Sequence, residues 1–164
     1  MSPFGPAAEA ARRRILSPWR FRAYLWWRLP LAACAGLRLE SLDDGGCTVS
    51  LPGGWRTQNP FRSTYFAAQA MAAEMSTGAP ALVLAQAAPA SLSILVRGIR
   101  AEFTRKIVGR SFFTFSDLDG MAAALERAAG GGDAESFLAR SHGRAADGNA
   151  VAEFEITWSF KRRG

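Results

Sequence analysis

A carboxylate set in an apolar helical stripe is the first place in this sequence where chemistry can be sought. Glu74 shares a helical face with Ala67, Ala70, Met71 and Gly78, because residues three and four apart stand one above another on a helix. Burying a carboxylate is costly unless it is hydrogen-bonded or protonated. Desolvation raises its pKa toward the range useful for a general acid or base at neutral pH. The same periodicity also allows a solvated Glu74 near the helix end, the usual place for glutamate.

Upstream, Asn59 precedes Pro60. Its amide is suited either to orienting a water or an acyl carbonyl, or simply to forming a turn. Between Asn59 and the helix body lie Ser63, Thr64, Tyr65 and Phe66. The first N–H groups of a helix have no intrahelical partner, so these four residues are expected to present free donors to a carbonyl or an oxyanion. Arg97, Arg100, Arg105, Lys106 and Arg110 gather in the middle of the chain. They read as a phosphate-binding group or as a solvated strand face. His142, the single histidine, has no Ser/His/Asp arrangement around it and is assigned no role. Cys34 and Cys47 lack a metal-ligand spacing, so no metal site is expected and both are read as reduced thiols in a cytoplasmic protein.

The elements that must position these residues follow from periodicity. Helices are expected over Ala7 to Leu16 and from Ser17-Pro18 to about Leu29, with Ser17 as cap and Pro18 in the first turn. Leu37 to Leu51 alternates around Asp43-Asp44-Gly45-Gly46, a hairpin pattern. A helix is predicted from Ser63 or Thr64 through Met75, stopped by Gly78 and Pro80, with a second short helix over Ala81 to Ala88. It is small or apolar nearly all round, which predicts enclosure. Strands are predicted over Ser91 to Lys106, Val108 to Phe115, Phe137 to Ser141 and Ala152 to Phe160, and a helix over Leu118 to Ala129. Strands with helices on one face make an α+β protein: a curved antiparallel sheet of about five to six strands wrapped around a central apolar helix.

The 164 residues suit one core; they divide into an N-terminal basic segment, 1–17, and a single domain, 18–164. Half the residues are hydrophobic and 21% are charged, which excludes a disordered or collagen-like chain. The net charge of +6 favours anionic partners without choosing one. Arg12 to Arg14 followed by the apolar run Ala23 to Ala35 reads as a helix capping the domain, a membrane-surface helix or a cleaved signal. Arg28, Pro30 and the bulky Trp19, Trp26 and Trp27 favour the first. Trp residues interleaved with arginines also leave a nucleic-acid-binding protein as a minor alternative, one that no recognised motif supports.

The run from Asn59 to Glu74 resembles the central-helix motif of hotdog-fold acyl-CoA thioesterases of the phenylacetate-pathway type, in which Asn, a His-Gly-Gly turn and an acid occur in order. More closely, the chain resembles a thioesterase-like hotdog family defined as a domain of unknown function, over about Phe21 to Lys161. The residues that carry this are Asn59-Pro-Phe, Tyr65-Phe66, the Ala-rich run, Glu74, the stretch Ala101-Glu-Phe-Thr-Arg-Lys106 and the closing Phe154-Glu-Ile-Thr-Trp-Ser-Phe-Lys161. The resemblance implies a homodimer or tetramer whose sheets join edge to edge, acting on acyl-CoA or a related thioester, with coenzyme A entering only as part of the substrate. Glu74 is then base or nucleophile, the Phe66 N–H an oxyanion donor and Asn59 an orienting group. Ser63, Thr64 and Tyr65 line the substrate, and Arg97, Arg100, Arg105 and Lys106 meet its phosphates. The pattern departs at Tyr65-Phe66, which replace His-Gly and fill space where glycine lets a thioester approach. That departure supports an alternative, a hotdog protein that binds an acyl group without turning it over.

Overall fold

The computed structural model describes residues 3–164; the first two residues of the basic segment 1–17 lie outside it. Six strands form one sheet in which every neighbouring pair is antiparallel. They are β1 (Arg38–Asp43), β2 (Gly46–Leu51), β3 (Leu92–Phe103), β4 (Ser111–Phe115), β5 (Glu135–Ala145) and β6 (Ala150–Arg162), in the order β1-β2-β4-β5-β6-β3. The long helix α4 (Phe66–Ala87) lies across the sheet against β2, β4, β5 and β6. This is the curved sheet around one apolar helix that the sequence predicts, the hotdog arrangement.

Alternation explains which sheet face meets the helix. Val151 and Ala152 lead into Phe154, Ile156, Trp158 and Phe160, all buried on β6, since successive side chains on a strand point to opposite faces. Phe154 stacks edge-on against Phe113 of β4 with centroids 5.9 Å apart, and against Phe103 at 5.6 Å. The amphipathic α5 (Leu118–Ala129) covers β5 and β6 with Leu118, Met121, Ala124, Leu125 and Ala128. It starts as predicted, the Asp117 carboxylate accepting from the Gly120 N–H at 3.0 Å.

Gly78 and Pro80 do not stop α4. The helix runs unbroken for 22 residues, although proline removes one backbone donor and crowds the carbonyl four residues back. Ala79, Pro80, Ala81, Val83 and Leu84 are all buried, so ending the helix there would strip this apolar face of its packing. In the preceding turn the Ser76 and Thr77 hydroxyls donate to the Ala73 and Glu74 carbonyls at 2.7 and 2.9 Å, so both buried hydroxyls are satisfied within the helix. The predicted short helix Ala81 to Ala88 is therefore the second half of α4.

Other boundaries shift. The predicted Ser91–Lys106 strand ends at Phe103, and β4 begins at Ser111 rather than Val108. Residues 104–110 form a connection that includes Gly109 at φ 91°, a left-handed conformation natural to glycine. The strand predicted as Phe137–Ser141 extends over the whole of β5. Helix α2 (Pro18–Arg28) ends one residue early and is followed by a short α3 (Pro30–Ala35). Ser17 holds the cap position with no side-chain bond to the helix. Before it, α1 (Pro6–Leu16) packs on α4 and β1 through the buried Ala8.

The two sheet edges differ. At β1, Arg12 donates to the Leu42 carbonyl at 2.8 Å and the register shifts between Leu39 and Ser41. At β3 nothing pairs on the outer side among the described residues, and Leu95, Ile99 and Phe103 are 61%, 52% and 47% exposed.

Candidate functional site

Ala67, Ala70, Met71, Glu74 and Gly78 are each half-buried, whereas Ala68, Gln69, Ala72, Ala73, Met75, Ser76 and Thr77 are buried. The stripe read from the sequence is therefore the face of α4 that this chain leaves partly open. Glu74 is its single carboxylate, and it has no ion-pair partner among the described residues. Desolvation holds its carboxyl above the ordinary value of 4.5.

Two buried contacts fix this part of α4 on the sheet. Trp158 Nε1–H donates to Thr77 Oγ1 at 3.0 Å, and Thr77 in turn donates to the backbone carbonyl of Glu74. Ser76 and Ser141 share a hydroxyl bond of 2.8 Å across to β5. A methyl group at Gly78 would stand 3.0 Å from Glu74 Oε1 and 3.4 Å from the Trp158 ring. The acid thus folds back over a missing side chain toward an indole edge, which explains both its desolvation and the glycine.

A raised carboxyl pKa carries a stability consequence. The folded state binds the Glu74 proton more tightly than the unfolded chain does, so this group's contribution to stability falls as pH rises from about 4.5 through the folded pKa. Glu74→Gln, which cannot ionise, is expected to melt above wild type at pH 7. The difference should vanish below the ordinary carboxylate value. Thermal melts at pH 4 and 7 check this, and equal gains at both would mean that Glu74 is not destabilised by charge.

The helix start differs from expectation. Of the four predicted free donors, three are committed within the chain. The Ser63 N–H donates to Asn59 Oδ1 at 3.2 Å, the Thr64 N–H to the Ile107 carbonyl at 2.9 Å and the Tyr65 N–H to the Thr57 carbonyl at 2.7 Å. The segment before α4 is tied down on the 104–110 connection and cannot offer those groups to a ligand. The N–H groups of Phe66 and Ala67 have no partner among the described residues, because α4 begins at Phe66, not at Ser63 or Thr64. Tyr65 and Phe66 turn their rings outward, 47% and 57% exposed and 4.9 Å apart edge-on.

Asn59 does its work inside the turn, Oδ1 accepting from the N–H groups of Phe61 and Ser63 and from Ser63 Oγ. The cations are spread along β3 and the connection that follows it, and Arg110 turns to other partners. Arg97 and Arg100 stand exposed on β3, where Arg100 pairs with Glu102 at 2.7 Å. Arg105 and Lys106 precede Ile107 in the connection. Arg110 bonds Glu40 at 2.8 Å and Ser50 Oγ at 3.2 Å on the far side of the sheet. His142 lies exposed, 3.6 Å from Glu153. Cys34 and Cys47 are both free thiols, and no cluster that could hold a metal occurs among the described residues.

Sequence reading missed Gln69. It is buried one turn into α4, its Nε2 donating to the Thr64 carbonyl at 3.2 Å while Oε1 has no partner. A polar residue inside the Ala-rich first turn was the available signal. The other missed feature is a cleft of about 860 Å³ between α2 and the β1–β2 hairpin, walled by Phe21, Leu25 and Trp26 and floored by the Glu40–Arg110–Ser50 cluster. The sheet order puts it at the edge opposite β6 and Trp158.

The model of a domain of unknown function, DUF4442, matches residues 17–160. No curated protein matches the chain. Among solved structures, a protein of unknown function from Pseudomonas aeruginosa, described as a probable thioesterase, superposes with a TM-score of 0.72 at 21% identity, covering 92% of this chain and 99% of the other. A thioesterase from Haemophilus influenzae gives 0.63 at 12%, covering 89% and 91%. The PaaI protein of the E. coli phenylacetic acid degradation operon gives 0.60 at 12%, covering 96% of each chain. These likenesses establish the hotdog fold.

Proposed function

Because the chain belongs to the DUF4442 family, a family without an assigned reaction, we propose from its own site that it hydrolyses an acyl thioester, with Glu74 as general base. The observation that carries this reading is the unpaired, half-buried Glu74, its pKa raised by desolvation, on the open stripe of α4. Its thioesterase-titled structural neighbours support the choice of reaction class.

Glu74 takes a proton from water as the water oxygen bonds to the thioester carbon. The resulting oxyanion needs preorganised N–H donors, and those free on α4 belong to Phe66 and Ala67. Eight residues of helix separate Phe66 from Glu74, about 12 Å at 1.5 Å per residue, too far for one carbonyl to touch both. We therefore assign the donors to the α4 start of a second copy. Collapse of the intermediate breaks the C–S bond, and the thiolate takes the proton back from Glu74, releasing a thiol and a carboxylic acid.

The second copy has a place to join. An exposed edge strand is a template for pairing, and β3 is that edge, with Leu95 and Ile99 exposed. The double variant Leu95→Glu/Ile99→Glu is expected to sediment as a monomer and to lose turnover with the dimer; a dimer that survives both charges would place the interface elsewhere. We assign Arg97, Arg105 and Lys106 to the phosphates of coenzyme A as part of the substrate. Arg100 is already held by Glu102, and the free thiols fit a cytoplasmic setting.

Hydrolysis of short, aryl and long acyl-CoA substrates by the wild-type protein tests the function directly. Turnover of at least one class supports the proposal. No turnover together with a raised melting temperature in acyl-CoA favours binding without hydrolysis, a reading motivated by the Phe66 ring beside the donor N–H. Neither response would overturn both readings.

A further inference from the structure

Helix α2 buries little of its apolar surface. Only Phe21 and Leu25 face the core. With 3.6 residues per turn, Trp19, Ala23, Trp26 and Trp27 fall in one continuous outward sector, with Arg22 on one margin and Arg20 on the other, while Arg28, set further round, reaches Trp27 with its guanidinium. Trp19, Trp26 and Trp27 are 69%, 53% and 75% exposed, and Leu29 and Leu31 continue the apolar surface into α3 at 43% and 70%. Arg20 lies over the Trp19 ring at 5.1 Å and Arg28 over the Trp27 ring at 4.2 Å. These contacts hold the guanidinium groups at the level of the indoles.

The charge is equally lopsided. Helices α1 to α3 contain Arg12, Arg13, Arg14, Arg20, Arg22 and Arg28 against the single acid Glu9, so nearly all of the chain's net +6 resides there. Glu9 itself is engaged by Arg12 and Arg13.

We propose that α2 and α3 form a docking surface for anionic membranes, with the tryptophans and leucines entering the interfacial layer and the flanking arginines meeting lipid phosphates. A central apolar stripe between basic margins is the arrangement that lies in the plane of a bilayer surface. Indole and guanidinium groups are each at home at headgroup depth. A single-stranded nucleic acid would use the indoles for stacking but would leave Leu29 and Leu31 in water. The helices do not cross the bilayer: no helix among the described residues is long and apolar enough to span one. Trp19, Arg22 and Trp26 also line the cleft above the Glu40–Arg110 pair, so a docked bilayer lies beside its mouth. The inference stands apart from the hydrolysis proposed above, since none of these residues belongs to that site.

Flotation of the full chain with phosphatidylcholine vesicles and with phosphatidylglycerol-rich vesicles tests it. The protein is expected to float with the anionic vesicles only, and less as salt rises. Arg20→Ala/Arg28→Ala should lower partitioning about 30-fold, and Trp19→Ala/Trp27→Ala should weaken it even where the arginines remain. All four side chains are exposed, so unchanged melting curves should confirm that the variants fold. Failure to float with anionic vesicles overturns the proposal, as does flotation that neither double variant weakens. Tight oligonucleotide binding lost in these variants, without vesicle binding, would assign the surface to nucleic acid instead.

Discussion

Glu74→Gln is expected to lower kcat for thioester hydrolysis by about 10²–10⁴-fold, the range a positioned general base supplies. The amide keeps the volume and polarity of the side chain over Gly78 but cannot accept the proton that water must lose. KM should stay near the wild-type value, because the substitution removes an interaction formed only as the reaction proceeds. The pH profile gives an independent readout. Turnover by the wild type should rise with pH through a limb displaced above the ordinary carboxylate value of 4.5, in the direction desolvation imposes, and that limb should be absent from the residual activity of the variant. Full turnover by Glu74→Gln would remove Glu74 from the reaction. Paired with the stability gain expected at neutral pH, the result would show a residue whose ionisation costs the fold and serves the chemistry.

Phe154→Ala is expected to be the most damaging core truncation, costing about 3–5 kcal/mol. The ring is 1% exposed and stacks between Phe103 and Phe113, so its removal opens a cavity bounded by three strands. Against a total stability of about 5–15 kcal/mol for a domain, the midpoint should fall on the order of 10 °C. Val108→Ala, at a side chain 79% exposed, should stay within about 0.5 kcal/mol of wild type. Comparable losses at both positions would deny Phe154 its central place.

Much of this architecture is written in local patterns. The alternation from Ala152 to Phe160 identifies a strand with one buried face, and the run from Leu118 to Ala129 identifies a helix whose bounds the structure keeps. What could not be read locally depends on distant partners. Gly78 and Pro80 signal a stop, yet burial against the sheet carries α4 past them. The N–H groups of Thr64 and Tyr65 look free in sequence because their acceptors, Ile107 and Thr57, lie in other segments. Glu74 was legible as an acid in an apolar stripe. That it has no counter-charge, and that Trp158 and Gly78 shape its surroundings, required strands that follow long after it. Arg110 was grouped with its sequence neighbours, whereas its partners come from the first hairpin.

If two copies join as proposed, the unequal edges of the sheet also govern how large the assembly can become. In the dimer proposed above, antiparallel pairing along β3 would present the same strand from both partners, so the contact would be self-complementary and use itself up. The outer flanks of such a pair would both be β1, which is short, irregular in register and occupied at Leu42 by Arg12. Continued addition of strands would require an open acceptor at that flank. In the proposed dimer the arginine and the register shift would therefore act as a terminator, limiting growth of the sheet and guarding a strand-rich protein against fibre formation.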